Sequence, residues 1–316
     1  MFDVVALGEC LIDCTPAGKN EMGMSLFACN PGGAPANVLA MNAKLGGQTA
    51  FIGKVGKDSF GAFLKETMQT AGIDTSGLYM SEEYKTTLAF VQLDDKGERS
   101  FSFYRKPGAD VMLTSNEVNT SLLMNCKIFH FGSVSLTDEP CRSTTLHAVQ
   151  IAKDSGALIS YDPNYRPALW QSADEAKAVI AQAIPLSHVL KVSDEEMTLL
   201  TGETKCEAGA KKLSQMGPPI VFITMGEKGS YFYTPSGQGF VPALPMQAMD
   251  TTGAGDAFFG ALHHSIQKKP LQELIHMPAE EWQAVVRFAS VAGGLTVTKK
   301  GAIPAMPSRE EIEALL

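Results

Sequence analysis

Phe2-Asp3-Val4-Val5-Ala6-Leu7 opens the chain with a short apolar run of strand length, and Gly8 closes it. Runs of the same kind recur at 50–55, 127–131, 157–161, 188–192 and 220–224. Such runs suit strands covered on both faces. Between most of them lie segments with helical spacing, as in Phe60, Phe63, Leu64 and Met68 behind the potential N-cap Asp58, and in 173–184. Strand and helix therefore alternate, which predicts an α/β fold: a mostly parallel sheet with helices on both faces. One region breaks the rhythm. Residues 86–93, the turn Asp94-Asp95-Lys96-Gly97 and residues 99–104 read as an antiparallel hairpin. Residues 9–30 are also poor in helical signal, so about 9–30 and about 84–106 are grouped as a small β lid over the end of the main sheet. Both belong to one domain spanning 1–316.

The 316 residues, 45% of them hydrophobic, supply ample material for a core. A formal charge of −8 argues against nucleic acid or acidic membranes as partners, because such binding draws on clustered Lys and Arg. Anionic ligands would have to be met locally. The chain has no 18-residue apolar run, and Asp3 and Glu9 stand where a signal peptide needs a basic start and a longer apolar core, so a cytoplasmic location is expected. The six cysteines form no CxxC pair and read as reduced, small apolar residues. The six histidines show no metal-ligand spacing, and the adjacent His263 and His264 read as surface or packing residues.

The sharpest local signal is Asp250-Thr251-Thr252-Gly253-Ala254-Gly255-Asp256, followed by Ala257, Phe258, Ala261, Leu262 and Ile266 at helical spacing. A glycine turn opening a helix presents free N–H groups and the positive end of the helix dipole, a ready site for an anion. A carboxylate there would repel a phosphate, unless it is the base that takes a proton from an attacking hydroxyl; Asp256 suits that role. An ordinary helix start with Asp in its first turn is the alternative. The P-loop pattern GxxxxGK[ST] is absent, and Gly8 is not followed by the GxGxxG spacing of a dinucleotide fold. A second cluster, Asn30-Pro31-Gly32-Gly33-Ala34-Pro35-Ala36-Asn37, leads into an apolar helix. There Gly32 and Gly33 would allow a ligand to approach the backbone, and Asn37 would offer its amide to a hydroxyl. Asp13 falls near the expected carboxyl end of the first strand, where open α/β sheets bind ligands.

GGAPAN (32–37) and DTTGAGDAF (250–258), more than 200 residues apart, together resemble the PfkB, or ribokinase-like, family of sugar kinases. GECLID (8–13), FIGKVGKDSFG (51–61), GERSFSFYRKPGAD (97–110), ISYDPNYR (159–166), KVSDEE (191–196) and TKKGAIPAMP (298–307) extend the match over nearly the whole chain and resemble the bacterial and plant fructokinase branch. The resemblance implies roles position by position. Asp256 matches the catalytic base, and Gly253, Ala254 and Gly255 match the anion hole. Asp13, Gly33 and Asn37 match sugar-bonding positions, with Arg166, Tyr104 and Arg105 as contacts from core and lid. Thr224, Gly226 and Gly229 fall where the family holds the nucleotide. Of the family's Asn-x-x-Glu element, which reads Ser193-Asp194-Glu195-Glu196 here, Glu196 carries over. Asp250 and Thr252 precede the anion hole, where relatives hold a monovalent cation such as K⁺. ATP with Mg²⁺ is the implied cosubstrate, and a homodimer formed through the lid the implied assembly.

Three other readings stand beside a fructokinase. A kinase for 2-keto-3-deoxygluconate shares the motif pair, and Arg105 and Arg166 would pair with its carboxylate substrate. A sugar-binding protein without turnover would gain little from Asp256. A dehydrogenase is disfavoured by the missing glycine pattern.

Overall fold

A computed structural model describes residues 1–93 and 99–316; the expected Asp94–Gly97 turn lies outside the described residues. The strands, in chain order, are β1 (Phe2–Leu7), β2 (Leu11–Lys19), β3 (Ser25–Gly32), β4 (Thr49–Gly56), β5 (Ile73–Ser81), β6 (Leu88–Leu93) and β7 (Arg99–Tyr104). They continue as β8 (Cys126–Gly132), β9 (Leu158–Asp162), β10 (Val189–Ser193), β11 (Ile220–Thr224), β12 (Gly229–Thr234) and β13 (Gly237–Pro242). Among the described residues they form a nine-stranded sheet in the order β13-β12-β11-β10-β9-β8-β1-β4-β5 and a four-stranded sheet in the order β3-β2-β6-β7.

The large sheet is parallel from β11 to β5, and β12 and β13 add an antiparallel edge. Its strands read as continuous apolar runs because alternate residues enter two separate cores. Val4, Ala6, Phe51, Ile128, Ile220 and Phe222 point into one layer. Val5, Leu7, Ile52, Phe129, Val221 and Ile223 point into the other. The fold class read from the sequence is therefore the observed one. Strands β5, β12 and β13 were not among the apolar runs, because each alternates buried with exposed or half-buried residues along part of its length.

In the small sheet β2 pairs antiparallel with β3 and parallel with β6, while β6 pairs antiparallel with β7. Asp13 therefore lies on the second strand, in the small sheet, and not at the carboxyl end of the first. In the large sheet, consecutive strands run outward in both directions from β1, which has β8 on one side and β4 on the other. That reversal leaves a crevice at the carboxyl ends of the strands.

Two helices meet over this crevice. The Ala34–Lys44 helix starts at Gly33 with Pro35 in its first turn. The Ala254–Ile266 helix starts at Gly253, which adopts left-handed φ 80°, ψ 0°. They pack tightly at Gly260, where an added Cβ would stand 2.4 Å from the Val38 carbonyl oxygen and 2.7 Å from Met41 Cβ. Asn42 ties them further, its Nδ2 donating to Gln267 Oε1 at 3.0 Å.

Candidate active site

The start of the Ala254–Ile266 helix and the end of β9 face each other across the crevice. Ala257 N–H makes the first intrahelical bond, to Gly253 O at 2.8 Å, so the N–H groups of Gly255 and Asp256 are orphan donors of the helix start. Asp256 is buried, with 7% of its surface exposed. One carboxylate oxygen, Oδ2, accepts from Asn37 Nδ2 at 2.8 Å, and the other, Oδ1, accepts from Asn164 Nδ2 at 3.2 Å. Burial raises its pKa above the ordinary carboxylate value, opposed by the Asn37 hydrogen bond and by the Lys191 charge. A carboxylate fixed by two amides and held near a more basic poise is equipped to accept a proton.

The turn before it is braced from inside. Asp250 Oδ1 accepts from Thr252 N and Oγ1 at 3.0 and 2.7 Å, and Asp250 Oδ2 accepts from Gly301 N at 3.1 Å. Gly253 is needed for its left-handed conformation and because a Cβ there would meet Ala302 Cβ at 2.7 Å. Gly255 is needed for a different reason: its Cβ would stand 2.9 Å from Lys191 Nζ.

At the Gly32-Gly33 pair the room for a side chain is taken up by neighbouring atoms. A Cβ on Gly32 would lie 2.2 Å from Asp13 Oδ2, and one on Gly33 would lie 2.3 Å from the Glu9 carbonyl oxygen. Asp13 is half-buried within electrostatic reach of Asp250, Asp256 and Arg166. Burial pushes its pKa up to about 6; Arg166 opposes that shift, and the two aspartates add to it.

Arg105 requires a larger correction. Only 7% exposed, it donates through Nε to Asp110 Oδ2 at 2.7 Å, through Nη1 to Thr137 Oγ1 at 2.8 Å and through Nη2 to the Val134 carbonyl at 2.9 Å. It fastens the segment after β7 to the main body and is not a free contact for a sugar. Tyr104 is 69% exposed, its ring edge-on to Phe90 at 5.4 Å. Arg166 is exposed beside the crevice.

Thr224 ends β11 in register with Ser193 of β10. Gly226 follows with φ 55°, and Gly229 has φ 121° with its Cβ position 2.2 Å from the Val241 carbonyl. Glu196 is buried; its Oε1 accepts from Tyr165 N at 2.6 Å and its Oε2 from Ser193 N at 2.7 Å. It thereby holds the 163–166 loop that carries Asn164.

Sequence reasoning missed Asp162, Asn164 and Lys191. Asn164 adopts φ 46°, left-handed backbone for a residue with a side chain, and its turn is closed by Asp162 Oδ1 accepting from Asn164 N at 3.1 Å. Lys191 donates to Asp162 Oδ2 at 2.7 Å, and both are buried. Asp162, Asn164, Arg166, Lys191, Ser193 and Glu196 border a cavity of about 420 Å³. The available signal was a charge inside an apolar run, Val189-Leu190-Lys191-Val192.

Comparison with known proteins agrees with this geometry. The family model described as "pfkB family carbohydrate kinase" matches residues 1–309. A protein named fructokinase-1 from Oryza sativa subsp. japonica is 43% identical over 99% of this chain and 97% of its own length. The crystal structure of a Xylella fastidiosa fructokinase with bound ATP superposes with a TM-score of 0.91 at 34% identity, covering 100% of this chain and 98% of that one. A Vibrio cholerae O395 fructokinase solved with fructose, ADP and calcium gives 0.87 at 34% identity, covering 99% and 98%.

Proposed function

The chain belongs to the pfkB family of carbohydrate kinases, and from that premise we propose that it transfers the γ-phosphoryl group of ATP to the 6-hydroxyl of D-fructose with Asp256 as general base. It is a sugar phosphotransferase, and the relatives named above are fructokinases. The observation that carries the chemistry is the buried Asp256 carboxylate, aligned by Asn37 and Asn164 at a glycine-opened helix start.

In this reading the acceptor oxygen attacks the γ-phosphorus while its proton passes to Asp256, and the bond to the bridging oxygen breaks with its electron pair leaving on ADP. The orphan N–H groups at Gly255 and Asp256 face the charge that develops on the transferred group. Asp13 accepts sugar hydroxyls across the crevice. Thr224, Gly226 and Gly229, at the carboxyl end of β11, border the nucleotide. Both oxygens of Glu196 accept backbone N–H groups, and Asp162 is paired with Lys191, which suits a divalent cation held mainly by phosphate oxygens with these carboxylates nearby. Mg²⁺ arriving with ATP would neutralise the phosphates. Asp250 and Thr252 are the residues that would hold K⁺ beside the turn.

Fructose is favoured over 2-keto-3-deoxygluconate because Arg105, one of two arginines that an acidic substrate would use, is already paired with Asp110. The outer small sheet leaves Met24, Leu26, Phe27 and Tyr104 exposed, which supports a homodimer formed there. No helix among the described residues is long and apolar enough to cross a membrane, and the need for ATP supports a cytoplasmic location.

The test is sugar-dependent ADP release over a panel containing fructose, ribose and 2-keto-3-deoxygluconate, with wild type and Asp256→Asn. Fructose should give the highest kcat/KM, and the variant should lose ~10²–10⁴ in turnover while still binding ATP. A better alternative acceptor would overturn the substrate; near-normal turnover in the folded variant would overturn the base.

A further inference from the structure

The anion hole faces a buried ammonium that the mechanism above does not use. Lys191 projects from β10 with 6% of its surface exposed. Its Nζ lies 2.7 Å from Asp162 Oδ2 and would be 2.9 Å from a Cβ on Gly255, so it borders the cavity directly opposite the helix start. Three carboxylates surround it electrostatically: Asp162, Glu196 and Asp256. Burial alone would favour its neutral form, but the Asp162 and Glu196 charges hold its pKa above the ordinary lysine value, so it stays charged.

As a stabilising device this arrangement is poor. A buried ion pair barely repays its desolvation, and a well-packed apolar pair would serve the fold as well. Nor does the backbone need it, since Gly255 could carry a methyl group if Lys191 were short. The glycine and the lysine fit each other: the absent side chain leaves the ammonium next to the orphan N–H groups. An ammonium carries three donors, and Asp162 takes one of them.

We propose that Lys191 is a catalytic residue of the phosphoryl transfer, its ammonium hydrogen-bonding the transferred group between ATP and the acceptor while Asp162 holds it in place. This rests on the sugar-kinase reading of the site. Three equatorial oxygens gather charge as the bond to ADP lengthens, and a fixed cation in a water-poor cleft meets that charge without reorganising. The same cation opposes the burial-driven rise in the Asp256 pKa. Bonds and electrons follow the transfer already described; Lys191 donates hydrogen bonds and keeps its protons.

The competing account is that Lys191 only neutralises Asp162. Lys191→Met and the double variant Lys191→Met/Asp162→Asn separate the two, since the second removes both charges and leaves no buried carboxylate unpaired at that position. The assay is sugar-dependent ADP release with kcat and KM for fructose measured apart, plus calorimetric binding of ADP and fructose. Both variants should lose ~10²–10³ in kcat with fructose KM and ADP binding within about threefold of wild type. Recovery of kcat in the double variant, or unchanged kcat in Lys191→Met, overturns the proposal. If Lys191→Met folds poorly, Lys191→Gln takes its place, since its amide still donates to Asp162 without the charge, and an unchanged kcat there overturns the proposal. Absence of sugar-dependent ADP release in the wild type would instead overturn the underlying kinase reading, and the role of Lys191 with it.

Discussion

Gly260→Ala should disable the enzyme from a position buried between two helices. Gly260 lies one turn beyond Asp256 on the same helix, and its missing side chain lets Val38 O and Met41 Cβ approach to 2.4 and 2.7 Å of where a Cβ would be. Ordinary contact needs ~3.5 Å, so the methyl group forces the two helices apart by roughly 1 Å. Asn37 is next to Val38, and the helices carrying Asn37 and Asp256 are those being separated. Their 2.8 Å hydrogen bond stretches by a comparable amount. A displacement of ~1 Å at a reacting group costs about 10² in rate. Stability should respond less: overpacking costs ~1–3 kcal/mol, while helix propensity returns about 1 kcal/mol on replacing Gly by Ala. The expected result is a folded protein with kcat lowered about a hundredfold and a modestly reduced melting temperature. The checks are ADP release at saturating substrates and thermal unfolding. Wild-type turnover in the folded variant, or a loss accounted for entirely by unfolding at the assay temperature, would refute the reasoning.

Two further outcomes follow from titrating groups. With the Asp13 pKa near 6, about a tenth of it is ionised at pH 5 and about nine-tenths at pH 7; KM for fructose should rise roughly tenfold as the pH falls from 7 to 5, and Asp13→Asn should abolish the dependence, whereas a flat wild-type profile removes Asp13 from sugar binding. His130 is buried beside His263, and Ser160 Oγ lies 2.6 Å from His263 Nε2 and 3.3 Å from His130 Nδ1. Burial lowers the His130 pKa to about 4. The folded state then binds fewer protons than the unfolded one, so this contribution is intact above the unfolded value of 6.5 and fades as pH falls toward 4. Between pH 8 and pH 5 it amounts to about 2 kcal/mol. Denaturant midpoints for His130→Leu should fall less with acidification than those of the wild type, and parallel declines would contradict the assignment.

The sequence by itself determined the layers and the helix that carries Asp256. Apolar runs such as Val4–Leu7 and Ile220–Ile223 require burial on both faces whatever their partners, and Gly253-Ala254-Gly255-Asp256 specifies a local turn that needs no distant contact to be recognised. The two glycine-bearing motifs also carried the family resemblance. What they could not carry is distance. Gly32 is kept small by Asp13 from a neighbouring strand, and Gly260 by a helix more than 200 residues away in sequence. The resemblance implied Arg105 as a substrate contact, while its partners Asp110, Thr137 and Val134 were not visible in the sequence. Lys191 lay hidden in an apolar run because a buried charge is tolerable only where folding brings a carboxylate to it, and Asp162 arrives from the adjacent strand. Periodicity and turn chemistry act over a few residues, whereas charge pairing and close approach are settled only when the chain has packed.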